Sequence, residues 1–373
     1  MRSFQQSKNI VVDFARQTDD EALKELLRDM PMPGDISIAF GREPSFFRSA
    51  CVEGKDTAVF VGRTQENEII GMGTRSEKHG YVNGQLVCFG YLSDLRLKPE
   101  YRSLSLLGRG FRLFKEVHSS RDAKLYLATI TDENIRAEKV LLSGRGGLPS
   151  FRDHGELRTF VLRPAQFRGD LGEKPFAIRR ANESDVQALL RFLNKNGPKR
   201  QFFPMYEADD FVCGLLQGLK MEDVFLAIKN EEIIGSLGFW DQSSYKQNIV
   251  HRYSRRLKNV RWVFNAHAFL VGRPLLAKEN TILAVRTGAI CCVKDDDKNV
   301  LRALLRHGLA EPRFKKIHFV VLSFHEKDPL IEVVEGFRHF VYRSRLYVIH
   351  WEDGKAAHEA LDGRVPYVEL GGL

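Results

Sequence analysis

The chain has 373 residues, and single hydrophobic cores stop growing at roughly 250–300 residues, so two core units are expected. Hydrophobic residues at 43% and charged residues at 28% support packed cores and exclude a disordered chain. A net charge of +9 fits an anionic partner without choosing among nucleic acid, an anionic membrane face and a phosphorylated cofactor.

In chain order, the pattern predicts a strand at 10–15 and an amphipathic helix at 20–28, entered through a capping Thr/Asp pair. A variable helical loop region follows at 31–51. Two β-rich runs, 57–63 and 68–75, read as a hairpin, and a longer strand spans 85–97. A helix over 108–121, a strand over 124–129, a helix over 134–142 and a strand over 157–162 complete this half. The second half repeats the order, with a strand at 281–293, a helix at 299–307, a penultimate strand at 317–323 and a last strand at 339–350. The alternation predicts a mixed α/β fold, a mixed sheet with helices on both faces.

The halves echo each other in sequence. With Arg16 set on Arg179, Leu23 falls on Val186, and Leu26, Leu27 and Arg28 fall on Leu189, Leu190 and Arg191. Glu68-Ile-Ile-Gly71 is matched by Glu232-Ile-Ile-Gly235 at about the same offset. Two matches in the same order read as a duplicated domain. The Pro- and Gly-rich stretch around 166–175 reads as a linker, dividing the chain into 1–165 and 176–373.

No apolar run approaches the ~20 residues that span a bilayer, and Met1–Asp13 is polar rather than signal-like. Five scattered cysteines without a C-x-x-C pair argue against a disulfide framework or a cysteine zinc site. The histidines show no H-x-x-x-H or H-E-x-x-H spacing, so no metal is expected. The expected compartment is the cytoplasm.

The stretch that carries chemistry runs from Tyr91 to Phe114. A strand ends at Leu97 and Pro99, and Gly108-Arg109-Gly110 leads into a helix with Phe111 and Phe114 on one face. Glycines at a strand–turn–helix junction let backbone N–H groups and a helix N-terminus converge on an anion such as a pyrophosphate. Arg102 and Arg109 would add positive charge. By itself, G-x-G before a helix is better explained by a structural turn.

Leu95-Arg96-Leu97-Lys-Pro99, Tyr101-Arg102, Gly108-Arg-Gly110 and Asn134-Ile-Arg-Ala137, in this order, resemble the acetyl-CoA-binding signature of the GNAT (GCN5-related) N-acetyltransferase superfamily. The resemblance covers about 10–163 and, without the glycine loop, about 176–350. It implies two tandem GNAT-like domains, the second degenerate, and acetyl transfer from acetyl-CoA to an amine in a ternary complex. Cofactor contacts are then expected at Leu95, Arg96, Leu97, Arg102, Leu107, Gly108, Arg109, Gly110, Phe111 and Asn134. Two departures stand out: Ser105 holds the place where the loop usually carries Arg or Gln, and Leu141 stands where a tyrosine often protonates the leaving thiolate.

In the second half, Asp295-Asp-Asp297 precedes the helix at 299–307; carboxylates there suit the helix dipole and repel a pyrophosphate, so this copy is expected to lack the cofactor. Asp94, next to the cofactor-contacting strand residues, is the candidate general base, with Glu43 and Glu53 behind it. Tyr126 or Tyr91 is the candidate acid. The basic, aromatic-rich segment 246–262 reads as a solvated helix with an apolar face, in preference to a surface for nucleic acid or an acidic carrier. A homodimer is compatible with this reading. The rival readings are a non-catalytic module that binds acyl-CoA or an anion, and an aminoacyl or longer-chain transferase of the same fold.

Overall fold

The computed structural model describes residues 10–32, 34–164, 175–270 and 275–373. The expected linker falls, apart from Pro175, outside these residues. The strands of the first half are β1 (Val11–Phe14), β2 (Ile36–Gly41), β3 (Asp56–Arg63), β4 (Ile69–Val82), β5 (Gln85–Leu97), β6 (Tyr126–Thr131) and β7 (Ser150–Leu162). Those of the second half are β8 (Ala177–Arg180), β9 (Phe203–Pro204), β10 (Val224–Lys229), β11 (Glu232–Trp240), β12 (Gln247–Tyr253), β13 (Ile282–Leu283), β14 (Val285–Val293), β15 (Phe319–His325) and β16 (His339–His350).

One large sheet carries the fold in the order β1-β3-β4-β5-β6-β16-β7-β15-β14-β11-β10-β8. Read inward from either edge, three antiparallel pairings are followed by one parallel pairing, β5 with β6 on one side and β14 with β15 on the other. The halves exchange their last strands. β16 lies against β6 of the first half, and β7 lies against β15 of the second. The segments 1–165 and 176–373 therefore share one sheet, joined at its centre by the long β7–β16 ladder.

Each half backs its sheet with helices whose apolar spacing sets the buried face. In the helix Asp20–Asp29, Leu23, Leu26 and Leu27 fall on one side and are buried against Val59, Val61 and Met72. Each such side chain contributes about 1.5–3 kcal/mol. Asp19, at the helix entrance, is fixed by a buried ion pair with Arg63. The matching helix Val186–Asn196 buries Leu189, Leu190 and Leu193, and Asp185 at its entrance pairs with Arg179.

The region 31–51, expected to be a helical loop, holds a short helix, Phe46–Ala50, and ahead of it the unexpected strand β2. Its Ile36-Ser-Ile-Ala-Phe40 alternation has the two-residue period of a strand, and β2 pairs antiparallel with β12 from the other half. With β13 they form a small second sheet that ties the halves together over the large one. The segment 246–262 likewise splits, into β12 and the helix Arg255–Leu270. Among the described residues, no helix is long and apolar enough to cross a membrane.

Candidate functional site

β5 and β6 are registered at only two pairs, Gly90 with Tyr126 and Tyr91 with Leu127. Beyond them β5 stays with β4 and β6 stays with β16, so the two strands part and open a wedge in the sheet. The wedge belongs to a cleft of about 1860 Å³, lined from both halves. At its apex the β4–β5 ladder carries a bulge, and Asp94 there has φ 49°, in the left-handed region. A bulge with such a residue re-aims the local side chain and the amides that follow it.

Asp94 lines the cleft. Its Oδ1 lies 4.0 Å from Arg42 Nη2, and its Oδ2 is buried without a hydrogen-bond partner. Arg42 follows β2, so the small sheet delivers this cation to the apex of the wedge. Beside Asp94, the Ser93 hydroxyl donates to the buried Glu53 carboxylate. Lys246, from the second half, stands 3.9 Å from Glu53 and donates to the main-chain oxygen of Leu373 at 2.6 Å. Burial pushes Glu53 up and Lys246 down, moving both toward their uncharged forms. At 3.9 Å, with both shifts in that direction, the pair is an electrostatic contact rather than a tight ion pair.

The tyrosines separate. Tyr91 lines the cleft and its hydroxyl lies 2.9 Å from Thr129 Oγ1; burial raises its pKa and keeps it protonated. Tyr126 does not line the cleft. Its hydroxyl is 3.0 Å from His118 Nδ1 and donates to Glu77 at 3.3 Å, inside an aromatic core with Phe114 and Trp351. Glu43 is taken up by surface pairs with Lys24 and Arg28, whereas Glu53 sits at the wedge.

The helix expected to begin at Gly108 begins a turn earlier, at Leu104, capped by the Ser103 hydroxyl, which accepts from the Leu106 amide at 3.2 Å. Ser103 is a strong N-cap, and that signal was legible in the sequence. Gly108 therefore lies inside the helix, not in the turn. A Cβ there would meet the Gly146 carbonyl oxygen at 2.3 Å, so the glycine serves the packing of the 144–147 loop. That glycine-rich loop, with φ of 64°, 70° and 76° at Gly144, Gly146 and Gly147, escaped the sequence reading. Arg109 is not on the cleft; its guanidinium donates to the Ile10 carbonyl. Leu95, Arg96, Leu97, Arg102, Leu107, Gly110, Phe111 and Asn134 all line the cleft. Asn134 caps the helix Ile135–Leu141 by accepting from the Ala137 amide. Arg102, Arg136, Lys139 and Arg145 bring four cationic side chains to the same cleft as the helix start at Leu104. This donor set fits a pyrophosphate or phosphate monoester.

The second half has the same parting of strands. β14 and β15 register only from Val285–Thr287 and Phe319–Val321, and Ile290, with φ 45°, holds the place in β14 that Asp94 holds in β5. Here the wedge is filled. Glu369 from the C-terminal segment accepts from the Ile290 amide at 2.8 Å and from the hydroxyls of Tyr206 and Tyr367. Only about 60 Å³ remains between Cys292, His325 and Tyr367. Asp295 and Asp296 are paired with Lys199 and Arg200.

The mixed α/β architecture with its one large mixed sheet is the acyltransferase fold of the GNAT and N-myristoyltransferase type. No protein-family model and no curated protein matches the sequence. Among solved structures, the chain is similar to Saccharomyces cerevisiae N-myristoyltransferase with bound myristoyl-CoA, at 11% identity and TM-score 0.58, covering 91% of this chain and 82% of that one. It is also similar to a GCN5-related N-acetyltransferase from Kribbella flavida, at 12% identity and TM-score 0.50, covering 91% and 70%. A glucosamine N-acetyltransferase region of a fungal multi-domain β-N-acetylglucosaminidase gives 14% identity and TM-score 0.57, covering 91% of this chain and 38% of that one.

Proposed function

We propose that this chain is an N-acyltransferase that moves an acyl group from a coenzyme A thioester to an amine by direct attack in a ternary complex. The observation that carries the reading is the carboxylate of Asp94, with one buried oxygen unpartnered, at the apex of an open wedge. A buried acceptor without a partner is costly unless a ligand donor completes it. Bound coenzyme A supplies the activated thioester carbonyl. The backbone amides from Leu95 to Leu97 are the candidates to stabilise the oxygen as it gains charge. Asp94 accepts the proton that the acceptor nitrogen loses on forming its new C–N bond. Tyr91, protonated and on the cleft, is the group available to protonate the departing sulfur as its bond to the carbonyl carbon breaks. Arg102, Arg136, Lys139 and Arg145 hold the phosphates.

The simplest donor is acetyl-CoA. A second reading, a longer acyl chain, is favoured by the cleft lining, where Phe60, Met72, Phe111, Phe114 and Ile130 extend the apolar surface past the wedge. Thiol release from acetyl-, octanoyl- and myristoyl-CoA against an amine panel tests both. Asp94→Asn should lower kcat by roughly 10²–10⁴-fold with donor affinity retained. Donor binding without thiol release would instead assign the chain a non-catalytic acyl-CoA-binding role.

A further inference from the structure

The helix Arg255–Leu270 forms one wall of the cleft and carries apolar side chains both inward and outward. Leu257 and Phe264 turn inward and line the cleft, with Phe264 stacked on Phe340 at 5.7 Å. Arg261 and Asn265 fasten the helix to main-chain groups of Ala277 and Leu276. The outward face is cationic in its first turn and, from Val260 onward, carries bare apolar side chains where a solvated helix would be polar. Trp262, Phe269 and Leu270 are 75%, 70% and 81% exposed. Positions 262, 266 and 269 lie three to four residues apart, so they form one outward stripe. Trp240 and Trp351 are both buried, which makes Trp262 the single exposed tryptophan of the chain.

The charge around this stripe is predominantly positive, with Glu279 paired to Lys258 at 3.2 Å. From Gln242 to Lys278 there are eight lysines and arginines (246, 252, 255, 256, 258, 261, 273 and 278) and no aspartate or glutamate. Arg255, Arg256 and Lys258 are exposed in the first turn of the helix. We infer that this helix is an interfacial membrane anchor, lying on an anionic lipid surface with Trp262, Phe269 and Leu270 in the headgroup–acyl boundary and its arginines on lipid phosphates. A helix with bulky apolar groups on one side, cationic flanks and no acidic residue is complementary to such a surface in both hydrophobicity and charge. A nucleic acid would meet hydrocarbon where it needs cations. The helix face is convex and spans about 24 Å at 1.5 Å per residue, so it offers a flat lipid layer a line of contact. Its inner side lines the cleft, so docking would set the cleft beside the bilayer, where apolar substrates partition.

The test uses the full chain with vesicles of phosphatidylcholine alone and of phosphatidylcholine mixed with phosphatidylserine in equal parts. Wild type should co-sediment with the mixed vesicles, with a blue shift of Trp262 emission, and should bind phosphatidylcholine alone far more weakly. Binding should weaken with added salt, because the lipid charge is screened. Trp262→Ser/Phe269→Ser/Leu270→Ser should lose co-sedimentation, and Arg255→Glu/Arg256→Glu should weaken it roughly tenfold or more. Both variants change exposed side chains only, and unchanged emission from Trp240 and Trp351 together with the far-UV spectrum reports that the fold is retained. Absence of wild-type binding to the mixed vesicles, or undiminished binding by the triple serine variant, overturns the inference. So does a blue shift that grows with protein concentration without vesicles, which would assign the stripe to a second copy of the chain.

Discussion

The carboxylate of Glu369 accepts a hydrogen bond from the Ile290 amide at 2.8 Å, at the bulge of β14 that corresponds to Asp94 in β5. The two halves thus treat the same backbone feature in opposite ways. One wedge is closed from within by a side chain, and the other opens into the large cleft. An internal carboxylate seated on the bulge amide occupies the spot that a ligand oxygen would need. This gives a physical reason for confining the candidate site to one half, beyond the acidic run expected to repel phosphates, whose Asp295 and Asp296 are neutralised by Lys199 and Arg200.

Removing that plug should destabilise the protein strongly. Glu369→Ala strands the Ile290 amide and the Tyr206 and Tyr367 hydroxyls, and each buried unsatisfied group costs about 1–3 kcal/mol. The expected loss is about 3 kcal/mol or more, read as a lower midpoint of urea unfolding. An unchanged midpoint would mean the wedge is not held this way.

The two tyrosines should separate by readout. Tyr126→Phe loses contacts with His118 and Glu77 in the core and should cost about 1–2 kcal/mol of stability with little change in kcat. Tyr91→Phe loses its Thr129 contact, at a similar cost of about 1–2 kcal/mol, but should lower kcat markedly where Tyr126→Phe does not. The opposite pattern would return the acid role to Tyr126.

Gly108 and Gly110 should respond differently to alanine. At Gly108 the new methyl meets the Gly146 carbonyl at 2.3 Å, so Gly108→Ala should displace the 144–147 loop, cost about 1–3 kcal/mol and weaken coenzyme A binding. At Gly110 nothing lies within 4 Å, so Gly110→Ala should gain up to about 1 kcal/mol from helix propensity. Thermal melts with and without coenzyme A distinguish the two.

Lys78 is buried near Glu53 and Glu369, and burial lowers its pKa to about 8. Between pH 8 and its ordinary value of 10.5, the unfolded chain holds more of this proton than the folded chain, so this group makes stability rise with pH across that window. Below pH 8 the cost of burying the charge is fully present. Lys78→Met should therefore stabilise the fold at pH 7, by roughly 3 kcal/mol at most, and the advantage should fade by pH 10. A gain that is the same at both pH values would contradict the charge-burial account.

Much of the fold was legible because the signals are local. The leucine spacing at 20–29, the strand at 85–97 and the last strand at 339–350 follow from periodicity within each segment. Most of the stretch from Leu95 to Phe111, whose cofactor contacts are implied by the resemblance, lines one cleft. The start of the helix was misread because Gly108-Arg-Gly110 outweighed the Ser103 cap, although glycine inside a helix is tolerated where a neighbour must approach closely.

Pattern and composition by themselves determined most element types and the echo between halves, while Asp94 was singled out through the resemblance of its neighbours to the cofactor-binding signature. Tertiary structure alone decided the exchange of β7 and β16, the arrival of Arg42 and Lys246 beside Asp94, the burial of Tyr126 and the closing of the second wedge by Glu369. These contacts join residues up to hundreds of positions apart. Their energies come from burial and charge, which exist only once the sheet has formed, so no local window of sequence contains them.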